Sequence, residues 1–159
     1  MKLLILGGSG MVGHTLIKQL SAKHEIFTIL RDRIDLQSSK FFEKILKKDR
    51  CVLIDDINEY ENLNTIIKQI SPDVIINCIG VIKQRNDIKN TLNMIRINSL
   101  LPHILNDICH TNKIKLIHLS TDCVFSGNKG NYKESDNPDP IDKYGESKLL
   151  GEINEGSSL

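Results

Sequence analysis

The sequence has no apolar run long enough to cross a bilayer, which takes about 20 residues. Its start lacks the basic segment, apolar stretch and cleavage site of a secretory signal and goes straight into a strand pattern, so export is not expected. Net charge is nearly missing too. Lys and Arg number 21 against 20 Asp and Glu, leaving +1, which points to no nucleic acid or other polyanion as partner. The four cysteines (Cys51, Cys78, Cys109, Cys123) form no Cys-x-x-Cys pair, and two lie inside apolar strand patterns. A reduced, cytoplasmic chain with incidental thiols is the expectation. Cys109, His110, His118 and Cys123 match no zinc-ligand spacing, so no metal is expected. Internal repeats and low-complexity segments are also missing. With 159 residues, one domain with a real core is expected.

What is present is concentrated at the start. Leu3 to Leu6 read as a buried strand, Gly7 to Gly10 as a turn, and the residues from Met11 as a helix. The glycines fit both Gly8-x-Gly10-x-x-Gly13 and Gly7-x-x-Gly10-x-x-Gly13. A tight turn off a strand needs positive φ, which glycine reaches freely. A missing side chain lets a phosphate approach the backbone, and the last glycine lets the helix pack closely on the sheet. The free N–H groups of the helix start then face a pyrophosphate. Gly7, Ser9, Gly10, Met11, Val12 and Gly13 are the expected cradle for a dinucleotide.

Strand and helix patterns alternate along the rest of the chain. Strands are expected at Lys2–Leu6, Ile26–Leu30, Cys51–Ile54, Val74–Ile79 and Ile114–Leu119. Between them, Val12, Leu16 and Leu20 mark one helical face, and Leu63, Ile66, Ile67 and Ile70 another. A lysine-bearing helix is expected from about Ser39 to Lys48, its charges facing solvent. A long helical region runs from about Ile88 to His110, with Met94, Ile97, Leu101, Ile104 and Ile108 as its buried stripe and Pro102 as a kink or new start. Ser126 to Asp142 reads as loop, and a last helix runs from about Tyr144 to Glu155. This alternation implies an α/β fold, a doubly wound parallel sheet in the order 3-2-1-4-5.

In such a sheet ligands bind beyond the carboxyl ends of the strands. At the end of strand two, Arg31 is placed to meet the 2′-phosphate of NADP, while Asp32 behind it could instead take the ribose of NAD. NADP(H) is therefore favoured and NAD(H) stays open. Asp56, with Ile57, is placed to reach the adenine amino group or to serve as a plain loop carboxylate. Strand four ends in Asn77-Cys78-Ile79-Gly80-Val81, where Gly80 would let the backbone pass the cofactor ribose alongside Cys78 and Ile79. Strand five ends in Leu119-Ser120-Thr121-Asp122, and Tyr144 and Lys148 share a helix face further on. Lys148 and an oxidised nicotinamide ring would stabilise the Tyr144 phenolate, so Tyr144 could pass a proton to or from a carbonyl oxygen as hydride moves. Thr121 or Ser120 would hold that oxygen, and Lys148 would also grip the nicotinamide ribose. The histidines are scattered and read as packing or solvent-facing residues.

Taken together, Gly7-x-x-Gly10-x-x-Gly13, Ser120-Thr121-Asp122 and Tyr144-x-x-x-Lys148 resemble an extended short-chain dehydrogenase/reductase. The runs Ser120 to Gly127 and Tyr144 to Glu152 are similar to the dTDP-4-dehydrorhamnose reductase branch. The run Asn77 to Gln84 resembles a subgroup associated with nucleotide-sugar reduction for surface polysaccharides. The resemblance implies a Rossmann fold, NAD(P)H-dependent reduction of a 4-keto nucleotide sugar, and Thr121, Tyr144 and Lys148 in the catalytic places. Related dehydratases carry Asp-Glu after the hydroxyl residue. Here Asp122-Cys123 stands there, which counts against loss of water. Epimerisation, with the same tyrosine and cofactor, stays open.

Members of that family are roughly twice this length, consistent with two lobes. The expectation is an N-terminal Rossmann portion, residues 1–159, without the lobe that grips the sugar nucleotide and with strand five as a bare edge. A separate chain could supply that lobe, or the chain could pair with a second copy through its long helix and the tyrosine helix. The rival expectation is a non-catalytic dinucleotide-binding module or regulatory subunit.

Overall fold

A computed structural model of the chain describes residues 1–31, 45–46, 48–82 and 88–153. Its elements are β1 (Lys2–Leu6), α1 (Met11–Leu20), β2 (Glu25–Leu30), β3 (Cys51–Leu53), α2 (Tyr60–Ile70), β4 (Val74–Asn77), α3 (Ile88–Met94), α4 (Leu101–Asn112), β5 (Lys115–His118) and α5 (Lys143–Leu149). The strands form one all-parallel sheet in the expected order β3-β2-β1-β4-β5. No helix among the described residues is long and apolar enough to cross a membrane.

Strand side chains alternate between two faces. Leu4, Leu6, Ile29, Ile75 and Leu116 meet Leu63 and Ile67 of α2 and Leu101 and Leu105 of α4. Leu3, Ile5, Ile26, Leu30 and Ile76 meet Ile17 of α1 on the other face. The central strand is covered on both sides, so Leu4, Ile5 and Leu6 are fully buried. Each such side chain stabilises the fold by about 1.5–3 kcal/mol. At the margin, β5 pairs only with β4 among the described residues, and Ile117 and Leu119 stay partly exposed there.

Three expectations need correcting. The α1 stripe is turned by one residue. Gly13 and Ile17 are its buried residues, Val12 is 45 % exposed, and Leu16 and Leu20 pack only at the core's margin. The cause is Gly13, which must face the Gly7 turn for the helix to close on β1.

The long helix is continuous, but Ile95–Leu100 forms a wider π turn between α3 and α4. Pro102 has no N–H to give to the carbonyl of Asn98, four residues back, so the regular pattern cannot pass through that point. The extra residue in a π turn shifts the buried stripe. Met94, Ile97 and Leu101 are buried as expected, but Leu105 and Cys109 then replace Ile104 and Ile108.

The last helix ends at Leu149, not near Glu155, because Gly151 N–H bonds Lys148 O and Glu152 N–H bonds Leu149 O in tighter closing turns. Gly151 lies against the carbonyl of Asn98 and the ring of Pro102, where a Cβ has no room. Most of the helix expected from Ser39 lies outside the described residues, as do Asp32 and Arg33. Lys48 falls in a short 3-10 turn, Lys48–Arg50.

Candidate active site

The glycine turn is built by backbone shape. Gly7 has φ +78°, the left-handed region that a side chain would strain. Its carbonyl accepts from Gly10 N–H at 3.0 Å, closing the turn. A Cβ on Gly13 would overlap that same carbonyl. Gly8 is as restricted, since a Cβ there would strike the Thr28 hydroxyl and the tip of Ile17. Gly10 is the N-cap of α1, so no side chain caps the helix and no acidic residue occupies its first turn. Those N–H groups and the positive end of the helix dipole are left to an anion. Met11, 85 % exposed, and Val12 stand at the rim.

Beside this turn is a cavity of about 300 Å³ at the carboxyl ends of the strands. Its walls bring together Gly7, Ser9 and Gly10 with Arg31 after β2, Asp56 and Ile57 after β3, and Cys78, Ile79 and Gly80 after β4. Ile29, Leu30, Ile54, Asn58, Val81, Asn93 and Ile97 complete the lining. Asp56 is already engaged, because its Oδ1 accepts from the backbone and side-chain N–H of Asn58 at 2.9 and 2.7 Å. Burial pushes the Cys78 thiol up to about 11, so it stays protonated and inert at neutral pH.

Ser120, Thr121, Tyr144 and Lys148 do not line this cavity; they form a second cluster around the end of β5 and α5. Asp142 caps α5, its Oδ1 accepting from Gly145 N–H at 2.9 Å. Gly145 is buried against the carbonyl of Cys123, so α5 begins on the short turn Asp122–Val124 that Thr121 caps. That contact sets the first turn of α5, which carries Tyr144, against the turn that follows Thr121. Lys148, 4 % exposed, donates through Nζ to Leu119 O at 2.6 Å, and His118 Nε2 lies 3.4 Å from the same nitrogen. Burial lowers the Lys148 pKa below its ordinary value, while the Glu152 carboxylate pulls it back up. Ser120 Oγ donates to Glu152 Oε1 at 2.5 Å.

Sequence reasoning missed the residues that join the two clusters. Asn98, fully buried in the π turn, accepts from Val81 N–H at 2.8 Å and donates to Val81 O at 2.9 Å and Ser147 Oγ at 3.0 Å. Ser99 Oγ donates to Ser147 O at 2.8 Å. These bonds tie the cavity wall after β4 to the helix of Tyr144 and Lys148. Two adjacent polar residues on the buried side of an apolar stripe, four and three residues before a proline, were the available signal. His118, expected to pack or face solvent, instead touches Lys148.

The comparisons agree with this architecture. The family described as RmlD substrate binding domain matches residues 1–154. The chain belongs to this family. A probable low-salt glycan biosynthesis reductase of Haloferax volcanii is 36% identical over 98 residues, covering 61% of this chain and 33% of its own length. A hypothetical dTDP-4-dehydrorhamnose reductase of Sulfolobus tokodaii superposes with TM-score 0.78 at 31% identity, over 95% of this chain and 50% of that one. The dTDP-4-dehydrorhamnose reductase of Bacillus anthracis, solved in complex with NADP, superposes with TM-score 0.72 at 26% identity, over 94% of this chain and 47% of that one. The chain thus spans about half the length, or less, of the proteins it matches.

Proposed function

We propose that this chain is the dinucleotide-binding and proton-transfer half of an NAD(P)H-dependent reductase of 4-keto nucleotide sugars. The activity is proposed for a protein of its relatives' full length, with the sugar nucleotide gripped by a lobe beyond these residues or on a separate chain. The observation that carries the reading is the pairing of two clusters on one sheet end. An open cavity meets an uncapped helix start, and a buried lysine stands one helical turn from Tyr144.

The residues fit the cofactor. Gly7 and Gly10 leave the backbone bare at the turn, where the first N–H groups of α1 would hold the pyrophosphate. Arg31, exposed on the cavity wall, would meet a 2′-phosphate, which favours NADPH over NADH. A nicotinamide held there would supply the hydride for reduction of the sugar carbonyl. Tyr144 gives its phenolic proton to the carbonyl oxygen, Thr121 donates a hydrogen bond to that oxygen, and Lys148 orients the ribose and stabilises the phenolate left behind. The relatives named as reductases support reduction as the reaction. Leu92, Ile95 and Leu100 on the long helix and Leu150 after α5 are exposed apolar residues, which supports pairing with a second copy across that face.

The test joins binding to turnover. NADPH and NADH are titrated against the chain by nicotinamide fluorescence, then against Arg31→Ala. Saturable binding, tighter for NADPH by about tenfold and levelled in the variant, is expected. In the full-length context, Tyr144→Phe should keep cofactor affinity and lose at least 100-fold in reduction, in line with roughly the 10²-fold or more that a general acid contributes. A Tyr144→Phe protein with unchanged turnover would remove the catalytic assignment.

A further inference from the structure

His118 sits at the end of β5 between the two clusters, and its protonation pattern follows from the backbone outward. Ile79 N–H donates to Asn77 Oδ1 at 3.1 Å. A backbone N–H has no other role, so the Asn77 side chain must turn its oxygen toward Ile79 and its NH₂ away from it. That NH₂ lies 3.1 Å from His118 Nδ1. An amide NH₂ only donates, so Nδ1 must accept. A neutral imidazole has one acceptor and one N–H, so the proton belongs on Nε2. Nε2 is the atom that lies 3.4 Å from Lys148 Nζ.

We infer that His118 is a positioning residue for Lys148: a chain of hydrogen bonds anchored at the Ile79 backbone fixes its imidazole and aims the Nε2–H at the lysine nitrogen. Asn77, fully buried, cannot turn its amide without setting donor against donor. The inference rests on the reading of Lys148 as the lysine of the catalytic pair. It adds that the state of this lysine is set from the cofactor side, because the relay starts at Ile79 in the cavity wall.

The consequence is chemical. An ammonium offers only donors, while an amine has a lone pair that can accept from a ring N–H. Facing Nε2–H therefore weakens the hold of Lys148 on its proton, in the same direction as its burial, while the Glu152 carboxylate opposes both and acts to retain the ammonium that a Tyr144 phenolate needs. Leu119 O, accepting at 2.6 Å, holds Nζ in place in either form. The charged groups around the pair are Lys148 itself, Glu152 beyond α5, which favours the ammonium, and His103 on α4. Burial first, then the Lys148 and His103 charges, hold His118 down at about 4, so the imidazole stays neutral and the relay stays intact at neutral pH.

The experiment is long-range ¹H–¹⁵N correlation NMR on the full chain, which reads the tautomer of each histidine. His118 should show a protonated Nε2 and a bare Nδ1, unchanged between pH 8 and pH 6. An Nδ1–H tautomer, or an imidazolium at pH 6, overturns the inference. The lysine is then read directly through the ¹³Cε shift of Lys148 in wild type, His118→Asn and His118→Gln. Gln reaches the place of Nε2, whereas Asn reaches only that of Nδ1. The Lys148 midpoint should rise by about one pH unit in His118→Asn and stay within a few tenths of wild type in His118→Gln. Equal midpoints in all three chains overturn it as well. Neither readout needs turnover, so failure of the reductase reading would show separately, as absence of NADPH binding.

Discussion

The two halves of the site are made of different materials. Around β1, β2 and α1 the exposed surface of the candidate site is backbone: a left-handed Gly7, a carbonyl that Gly13 leaves room for, and an uncapped helix start. Around β4, the π turn, β5 and α5 it is a network of buried side chains, with Asn77, Asn98, Ser99, Ser147, His118 and Lys148 bonded to one another or to nearby main chain. The first half depends on side chains that are missing, so nearly any addition disturbs its shape. The second depends on each polar group having a partner, so removing one strands another. A shape-built half should fail by steric overlap and be indifferent to pH. A network-built half should fail by unpaired groups and respond to acid.

The largest effect is expected in the first half. Gly13→Val puts a branched side chain where even a Cβ overlaps the Gly7 carbonyl, and backbone on both sides cannot yield. A loss of about 4 kcal/mol in chemical denaturation, with loss of dinucleotide binding, is expected. A Gly13→Val protein as stable as wild type would break the contrast at its stronger end.

Next comes the network. Asn98→Ala leaves the Val81 N–H and C=O unpaired beside the cavity and removes the bond to Ser147. The expected cost is about 3 kcal/mol, with hydrogen exchange accelerated at both Val81 and the start of α5. Faster exchange at Val81 alone would show that the two clusters are not coupled through Asn98.

The smallest effect separates the halves by pH. His118 is held at about 4, below its ordinary 6.5, so the unfolded chain takes up the proton first as pH falls. The stability tied to this group is full above pH 6.5 and is lost as pH drops to about 4. The loss is about 2 kcal/mol once residual solvent contact is allowed for. Asp136 and Asp139, both held below 3.8, act only at lower pH. Urea midpoints at pH 7.5 and 4.5 should therefore converge in His118→Gln. The same slope in variant and wild type would move the acid sensitivity to another group.

The same division explains what could be read early. The turn from Gly7 to Gly13 was legible because local sequence and local geometry coincide there: the residues that need each other are at most six apart. Strand order followed from alternation of patterns, whereas the roles of Thr121, Tyr144 and Lys148 rest on spacing and resemblance and stand as the proposal that Tyr144→Phe tests. Asn98 was not legible, since its partners Val81 and Ser147 lie 17 and 49 positions away. The α1 stripe and the last two positions of the long helix's stripe were each misplaced by one residue, because packing at Gly13 and the missing N–H of Pro102 override ideal helical periodicity.

By itself, the sequence determined the parallel sheet, the glycine turn and the family to which the chain belongs. Each of these rests on short-range rules: periodicity of two or 3.6, glycine where a Cβ has no room, and motifs confined to a single turn or helix. Only the tertiary structure decided which polar residues share a buried network, that Asn98 clamps the cavity wall to α5, and that His118 faces Lys148. Those pairings join residues from separate strands and helices. A buried polar group's partner is chosen by where the backbone brings it, and nothing in its own sequence neighbourhood specifies that place.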